Sequence, residues 1–153
     1  MPAFEYRWGR KERNVVEKEL KLSACDENMR TVLEQVEQML EQTSCDEMTQ
    51  MQIVMAAEEL FVNIAHYAYG GEAGEAVLTM KVMQDPERFH MTFRDRGIPY
   101  NPLEHKDPDI TLPAEEREIG GLGIFLIKKT MDKMEDEHRD GWNVLSIEKR
   151  LAE

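Results

Sequence analysis

At 153 residues the chain has the length of one domain, at roughly 150 residues per domain, and a domain of that size buries about two-thirds of the surface its unfolded chain exposes. The 31 Asp and Glu face 19 Lys and Arg, a formal charge of −12, which argues against nucleic acid as a partner because that affinity comes from basic groups neutralising phosphates. Cys25 and Cys45 stand outside any C-x-x-C pair and away from ligand-spaced histidines, as two free thiols in a reducing cytoplasm do; no stretch reads as a signal peptide or approaches the roughly 18 apolar residues of a membrane span.

After a polar start, residues 14–22 alternate loosely through Val16, Lys18, Leu20 and Leu22, which predicts an edge strand with one face on a core. Over 28–42 the residues Met29, Val32, Leu33, Val36, Met39 and Leu40 fall at helical spacing, with Asp26 as the expected N-cap. A link at 44–46 carries a second cap. From Met48 to about Tyr69 the pattern predicts a longer, more apolar helix, closer to the core, that stops at Gly70-Gly71.

The apolar runs 76–83 and 88–94, joined by Gln84-Asp85-Pro86-Glu87, read as a hairpin with its proline in the turn. In the second strand Phe89, Met91 and Phe93 share a face by the period of two, and the same parity carries Asp95 inward at the strand end. Residues 98–119, with four prolines, many charges and no period, predict a long functional loop of the lid kind. A helix resumes from Leu122 to about Asp132. A closing hairpin then pairs 134–138 with 143–149 across Arg139-Asp140-Gly141-Trp142, where Asp-Gly suits a tight turn.

Three short motifs carry the chemistry. Glu59 and Asn63, four residues apart on one stripe of an apolar helix, place a carboxylate and an amide where burial is costly unless each finds a partner or a ligand. The neutral amide oxygen of Asn63 suits Mg²⁺, which takes one or two protein oxygens alongside waters and phosphates. Glu59, one turn away, is placed to accept a proton from an attacking hydroxyl or water. His66 extends the stripe but reads as a packing residue, and Glu58 as part of a solvated face.

Asp95, acceptor-only when ionised, matches the exocyclic amino group of adenine and mismatches the carbonyl that guanine carries there. Gly97 lets backbone come close, and Pro99 stiffens the exit. Gly120, Gly121, Leu122 and Gly123 open a helix with bare backbone donors, a ready anion site; Lys128 and Lys129 follow on what reads as a solvated face. An Asp-x-Gly-x-Pro stretch alone is a common turn, and glycines before a helix are often a hinge. In this order, however, the three motifs supply a base, a metal ligand, a purine reader and a phosphate cradle. The competing G-x-x-x-x-G-K-[ST] motif is absent, and these glycines follow a proline-rich loop where a dinucleotide fingerprint would follow a strand.

The order of Glu59/Asn63, Asp95-Arg96-Gly97-Ile98-Pro99 and Gly120-Gly121-Leu122-Gly123-Ile124 resembles the N, G1 and G2 boxes of the GHKL ATPases, the superfamily of gyrase, histidine kinases and mismatch-repair ATPases. With EELFVNIAHYAYG, DRGIPYNPL and GGLGIFLIKKTMD, the chain is similar in particular to the bacterial anti-sigma-factor serine kinases, over about residues 15–149. The resemblance implies a single α+β domain over 1–153, a two-layer α/β sandwich in which a mixed, mostly antiparallel sheet carries helices on one face. It implies Glu59 as the catalytic carboxylate, Asn63 as the Mg²⁺ ligand, Asp95 as the adenine reader, Gly97 beneath the base, and Gly121 and Gly123 at the phosphates of ATP. It also implies a homodimer that binds a sigma factor and phosphorylates a small antagonist on serine.

The expected function is therefore that of a cytoplasmic Mg-ATP-dependent serine kinase of the anti-sigma type. The alternative is a module in which ATP only orders the lid and shapes a docking surface. An ATP hydrolase driven by its own cycle would need a transducer domain for which this length leaves no room.

Overall fold

A computed structural model describes residues 4–9, 15–99 and 122–151 of the chain. In chain order the elements are β1 (Phe4–Gly9), β2 (Val15–Ser23), a short 3₁₀ turn (Asp26–Asn28), α1 (Met29–Glu41), α2 (Glu47–Asn63) running on into a π turn (Ile64–Ala68), β3 (Glu75–Met83), β4 (Arg88–Asp95), α3 (Leu122–Thr130), β5 (Lys133–Arg139) and β6 (Trp142–Arg150). The strands form one six-stranded sheet in the order β1-β2-β3-β4-β6-β5, and every described pair is antiparallel. This is the α+β two-layer arrangement that the sequence implied, with helices on one face of the sheet.

The parity of the strands decides which face is covered. On β4, Phe89, Met91 and Phe93 are buried and alternate with half-exposed Arg88, His90, Thr92 and Arg94. Opposite them in register lie Val82, Met80 and Leu78 of β3, and next to them Leu145 and Ile147 of β6. These residues form one apolar cluster with Val32, Val36, Met39 and Leu40 of α1, Ile53, Ala57, Leu60 and Phe61 of α2, and Ile124 and Ile127 of α3. Phe61, fully buried near the C-terminal end of α2, contributes on the order of 1.5–3 kcal/mol by leaving water. The opposite face is polar, laced by Arg94 with Glu19, Arg88 and His90 with Glu148, and Thr92 with Ser146.

Three expectations need correction. β2 is an internal strand, because β1 pairs along one side of it and β3 along the other; alternation reports that one face is covered and is silent about neighbours in the plane. Lys18 shares the core-facing parity of β2 and is buried, with its ammonium donating to Gln35 Oε1 of α1, so a charge stands where the pattern suggested only a stripe. Asp26 makes no cap bond at the start of α1; its carboxylate Oδ1 lies 2.8 Å from His66 Nε2.

The second cap and the glycine stop are as read. The Asp46 carboxylate accepts from the Thr49 amide at 2.7 Å, and Gly70 and Gly71 take φ of 60° and 87°, the left-handed region that glycine enters without strain. Cys25 and Cys45 are free thiols, and burial pushes both above the ordinary cysteine range. Among the described residues no helix is long and apolar enough to cross a membrane.

Candidate functional site

The site is built where the C-terminal half of α2, the end of β4 and the start of α3 converge. Glu59 and Asn63 sit one turn apart on α2, both half-buried. Asn63 is the last α-helical residue, because the backbone widens there into the π turn Ile64–Ala68, a form that recurs at functional sites. The wider turn rotates His66 off the Glu59/Asn63 stripe and out to Asp26, where it is 46% exposed. His66 is thus a surface partner and takes no place in the site.

The π turn has a second consequence. It presents the Ala68 carbonyl to the loop after β4, where Ile98 N–H donates to it at 2.6 Å. Gly97 lies so close that a β-carbon there would overlap the Ala68 carbonyl group. The closeness that sequence reading assigned to a ligand is, in this structure, first of all a contact between Gly97 and the end of the α2 segment. Gly97→Ala should therefore displace the loop, costing about 1–3 kcal/mol as overpacking does. Calorimetric unfolding should show a lowered midpoint, and an unchanged midpoint would mean that the loop is not seated on Ala68.

Tyr69 ties the same corner together. Its hydroxyl donates to the Glu75 carbonyl at 2.5 Å and accepts from Arg96 N–H at 2.9 Å. Burial, reinforced by the nearby Asp95 and Glu75 charges, holds this phenol above the ordinary tyrosine range, which keeps it a neutral donor. On the outer side the Arg96 guanidinium lies 4.2 Å from the centroid of the Trp142 ring, a cation–π contact that braces the loop from behind.

Asp95 points inward as its parity requires and is 7% exposed. Its Oδ1 accepts two hydrogen bonds, from Gly97 N–H at 2.9 Å and from Asn143 Nδ2 at 2.8 Å. Neither of these donors uses Oδ2, so among the described residues one carboxylate oxygen is pinned by hydrogen bonds and the other is not. Asn143 lies directly opposite Asp95 on β6 and also donates to the carbonyls of Gly97 at 3.1 Å and Ile98 at 3.4 Å. Sequence reading missed Asn143, Tyr69 and Trp142. A signal for Asn143 existed, since it shares inward parity with Leu145 and Ile147.

At the third wall, α3 begins with exposed Leu122, followed by Gly123. A β-carbon on Gly123 would overlap the Glu59 carboxyl group, so the carboxylate of the first motif and the helix start of the third are in direct contact. Gly120 and Gly121, and the expected lid over 100–119, lie outside the described residues. Lys128 and Lys129 stand in the last turn of α3, at the end away from the glycines, where they complement the helix dipole; Lys129 leans over the Phe125 ring.

These residues fit a purine nucleotide with its metal. Among the described residues neither hydrogen bond to Asp95 falls on Oδ2, and Gly123 puts no side chain of its own on the first turn of α3, which the Glu59 carboxyl group abuts. The single amide of Asn63 is a sufficient protein ligand for Mg²⁺, whose other positions go to phosphate oxygens and water.

Comparison with known proteins agrees with this fold. Residues 22–149 match the family model of the histidine kinase-like ATPase domain. Over 104 residues the chain is 32% identical to the serine-protein kinase RsbW of Bacillus mycoides, covering 65% of this chain and 62% of that kinase, so the matched part spans less than two-thirds of the relative's own length. It is 26% identical over 101 residues to the serine/threonine-protein kinase BtrW of Bordetella bronchiseptica, covering 65% of this chain and 70% of BtrW. A crystal structure of the RsbU and RsbW domains of a Mycobacterium tuberculosis protein superposes with a TM-score of 0.60 at 20% identity, over 88% of this chain and 33% of that one, a likeness of fold. With most of its length matched by the family model, the chain belongs to the histidine kinase-like ATPase domain family.

Proposed function

We propose that the chain is a Mg-ATP-dependent serine/threonine protein kinase of the anti-sigma type, which binds a sigma factor and phosphorylates a small antagonist protein on serine. In this reading it is one domain, working as a homodimer in the cytoplasm. Asn63 would hold the metal, Asp95 would read the adenine amino group, and Gly120, Gly121, Leu122 and Gly123 would carry the phosphates on the backbone of the α3 start. When bound, Mg-ATP supplies the γ-phosphoryl group with its charge partly neutralised. Glu59 would then take the proton from the attacking serine hydroxyl.

The observation that carries the reading is the contact of Glu59 with Gly123. A carboxylate at the helix start that receives phosphates repels them, and a module that only had to bind ATP would gain nothing from an acid there. A kinase gains a base within reach of the transferred group. The test is incubation with γ-labelled ATP and a candidate antagonist domain encoded nearby. Label on an antagonist serine is the expected result; an antagonist that binds and is never labelled would favour an ATP-gated docking module.

A further inference from the structure

A polar row crosses the inner face of the sheet at its open end. Asp95 of β4, Asn143 of β6 and His138 of β5 are directly opposite one another in register, in line with core positions two residues away such as Phe93 and Leu145. In such a row each side chain's donors and acceptors are decided by its neighbours.

The logic starts at Asn143. Three oxygens surround its amide nitrogen, Asp95 Oδ1 at 2.8 Å and the carbonyls of Gly97 and Ile98 at 3.1 and 3.4 Å. All three only accept, so the NH₂ of the amide must face them and its carbonyl oxygen must face away. That oxygen lies 2.7 Å from His138 Nδ1, which can bond to it only as an N–H donor. The imidazole is therefore held with a proton on Nδ1. Behind it, Nε2 lies 3.1 Å from Asp136 Oδ2, off the line of a hydrogen bond but at ion-pair distance, and the Asp136 side chain is only 3% exposed.

We propose that His138, backed by Asp136, is a positioning residue for base recognition: it holds Asn143, and Asn143 holds the Asp95 carboxylate so that Oδ2 alone meets the base. The inference rests on the nucleotide reading of the site and extends it to a histidine on the outermost strand. Without the Nδ1 proton, Asn143 loses the donor to its carbonyl and is held in the row by its Nδ2 contacts alone. A less firmly oriented amide lets the Asp95 carboxylate turn about its last torsion, and a turned carboxylate distinguishes adenine from guanine less well. Asp136 lies against the other ring nitrogen at 3.1 Å.

Two measurements on the full chain test this. The first needs no nucleotide: long-range ¹⁵N correlation spectra should show His138 with its proton on Nδ1, and a neutral ring protonated on Nε2 alone would overturn the proposal. The second is calorimetric titration with ATP and with GTP. His138→Phe should reduce the preference for ATP by about three- to tenfold, the size of one neutral hydrogen bond. His138→Asn, whose amide nitrogen can take the place of Nδ1, should restore most of it. Discrimination unchanged in His138→Phe, or lost equally in both variants, would overturn the role. If the native chain bound neither nucleotide, the proposed function would fall while the ¹⁵N spectra still decided the hydrogen-bond relay.

Discussion

Glu59→Gln should leave Mg-ATP binding intact or slightly tighter while lowering phosphoryl transfer to an antagonist serine by about 10²- to 10⁴-fold, the usual contribution of a general base. The substitution is close to isosteric, so the contact with Gly123 and the half-buried setting on α2 survive. What is lost is the negative charge, which opposes the phosphates in the ground state and accepts the proton during transfer. Asn63→Ala should behave differently, weakening both Mg-dependent binding and transfer, because the amide would act on the metal. Single-turnover kinetics together with calorimetry separate the two. Equal transfer rates for the native chain and Glu59→Gln would remove Glu59 from the mechanism.

Asp95→Asn should invert the base edge without unfolding the loop. Among the described residues both donors to Asp95 fall on Oδ1, and an asparagine carbonyl in that place can accept both. Only Oδ2 is replaced, by an NH₂, which then confronts the amino group of adenine donor to donor. An unsatisfied buried group of this kind costs about 1–3 kcal/mol, so ATP affinity should fall by about 5- to 150-fold, whereas a guanine carbonyl at the same place would gain a donor. Thermal unfolding should shift little. Equal affinity of the native chain for ATP and GTP would sink the assignment of Asp95 as the purine reader.

The motifs were legible because each depends on local periodicity. Glu59 and Asn63 share a stripe through helical spacing alone, and Asp95 points inward by the same period of two that buries Phe89, Met91 and Phe93. The Asp140-Gly141 turn, with both residues at positive φ, fixes the register of the last hairpin and hence the pairing of His138 with Asn143. That pairing could be counted from the sequence, yet its meaning could not, because nothing local says that Asn143 lies beside Asp95. His66 was misplaced on the stripe because a widened turn after Asn63 leaves no mark in the pattern of apolar residues.

By itself, then, the sequence determined the strands and α-helices from β2 onward, the inward acid at the end of β4 and the three motifs, since all of these follow from repeats of two or 3.6 residues and from residue chemistry; β1, read only as a polar start, was missed. Only the tertiary structure decided that β2 is internal and that Asp26 serves His66. The same holds for Gly97, which must lack a side chain to clear Ala68, and for Glu59, whose carboxylate abuts Gly123. Each of these is a contact between segments far apart in the chain, set by how sheet and helices pack, and periodicity along a chain carries no information about what a residue will meet across space.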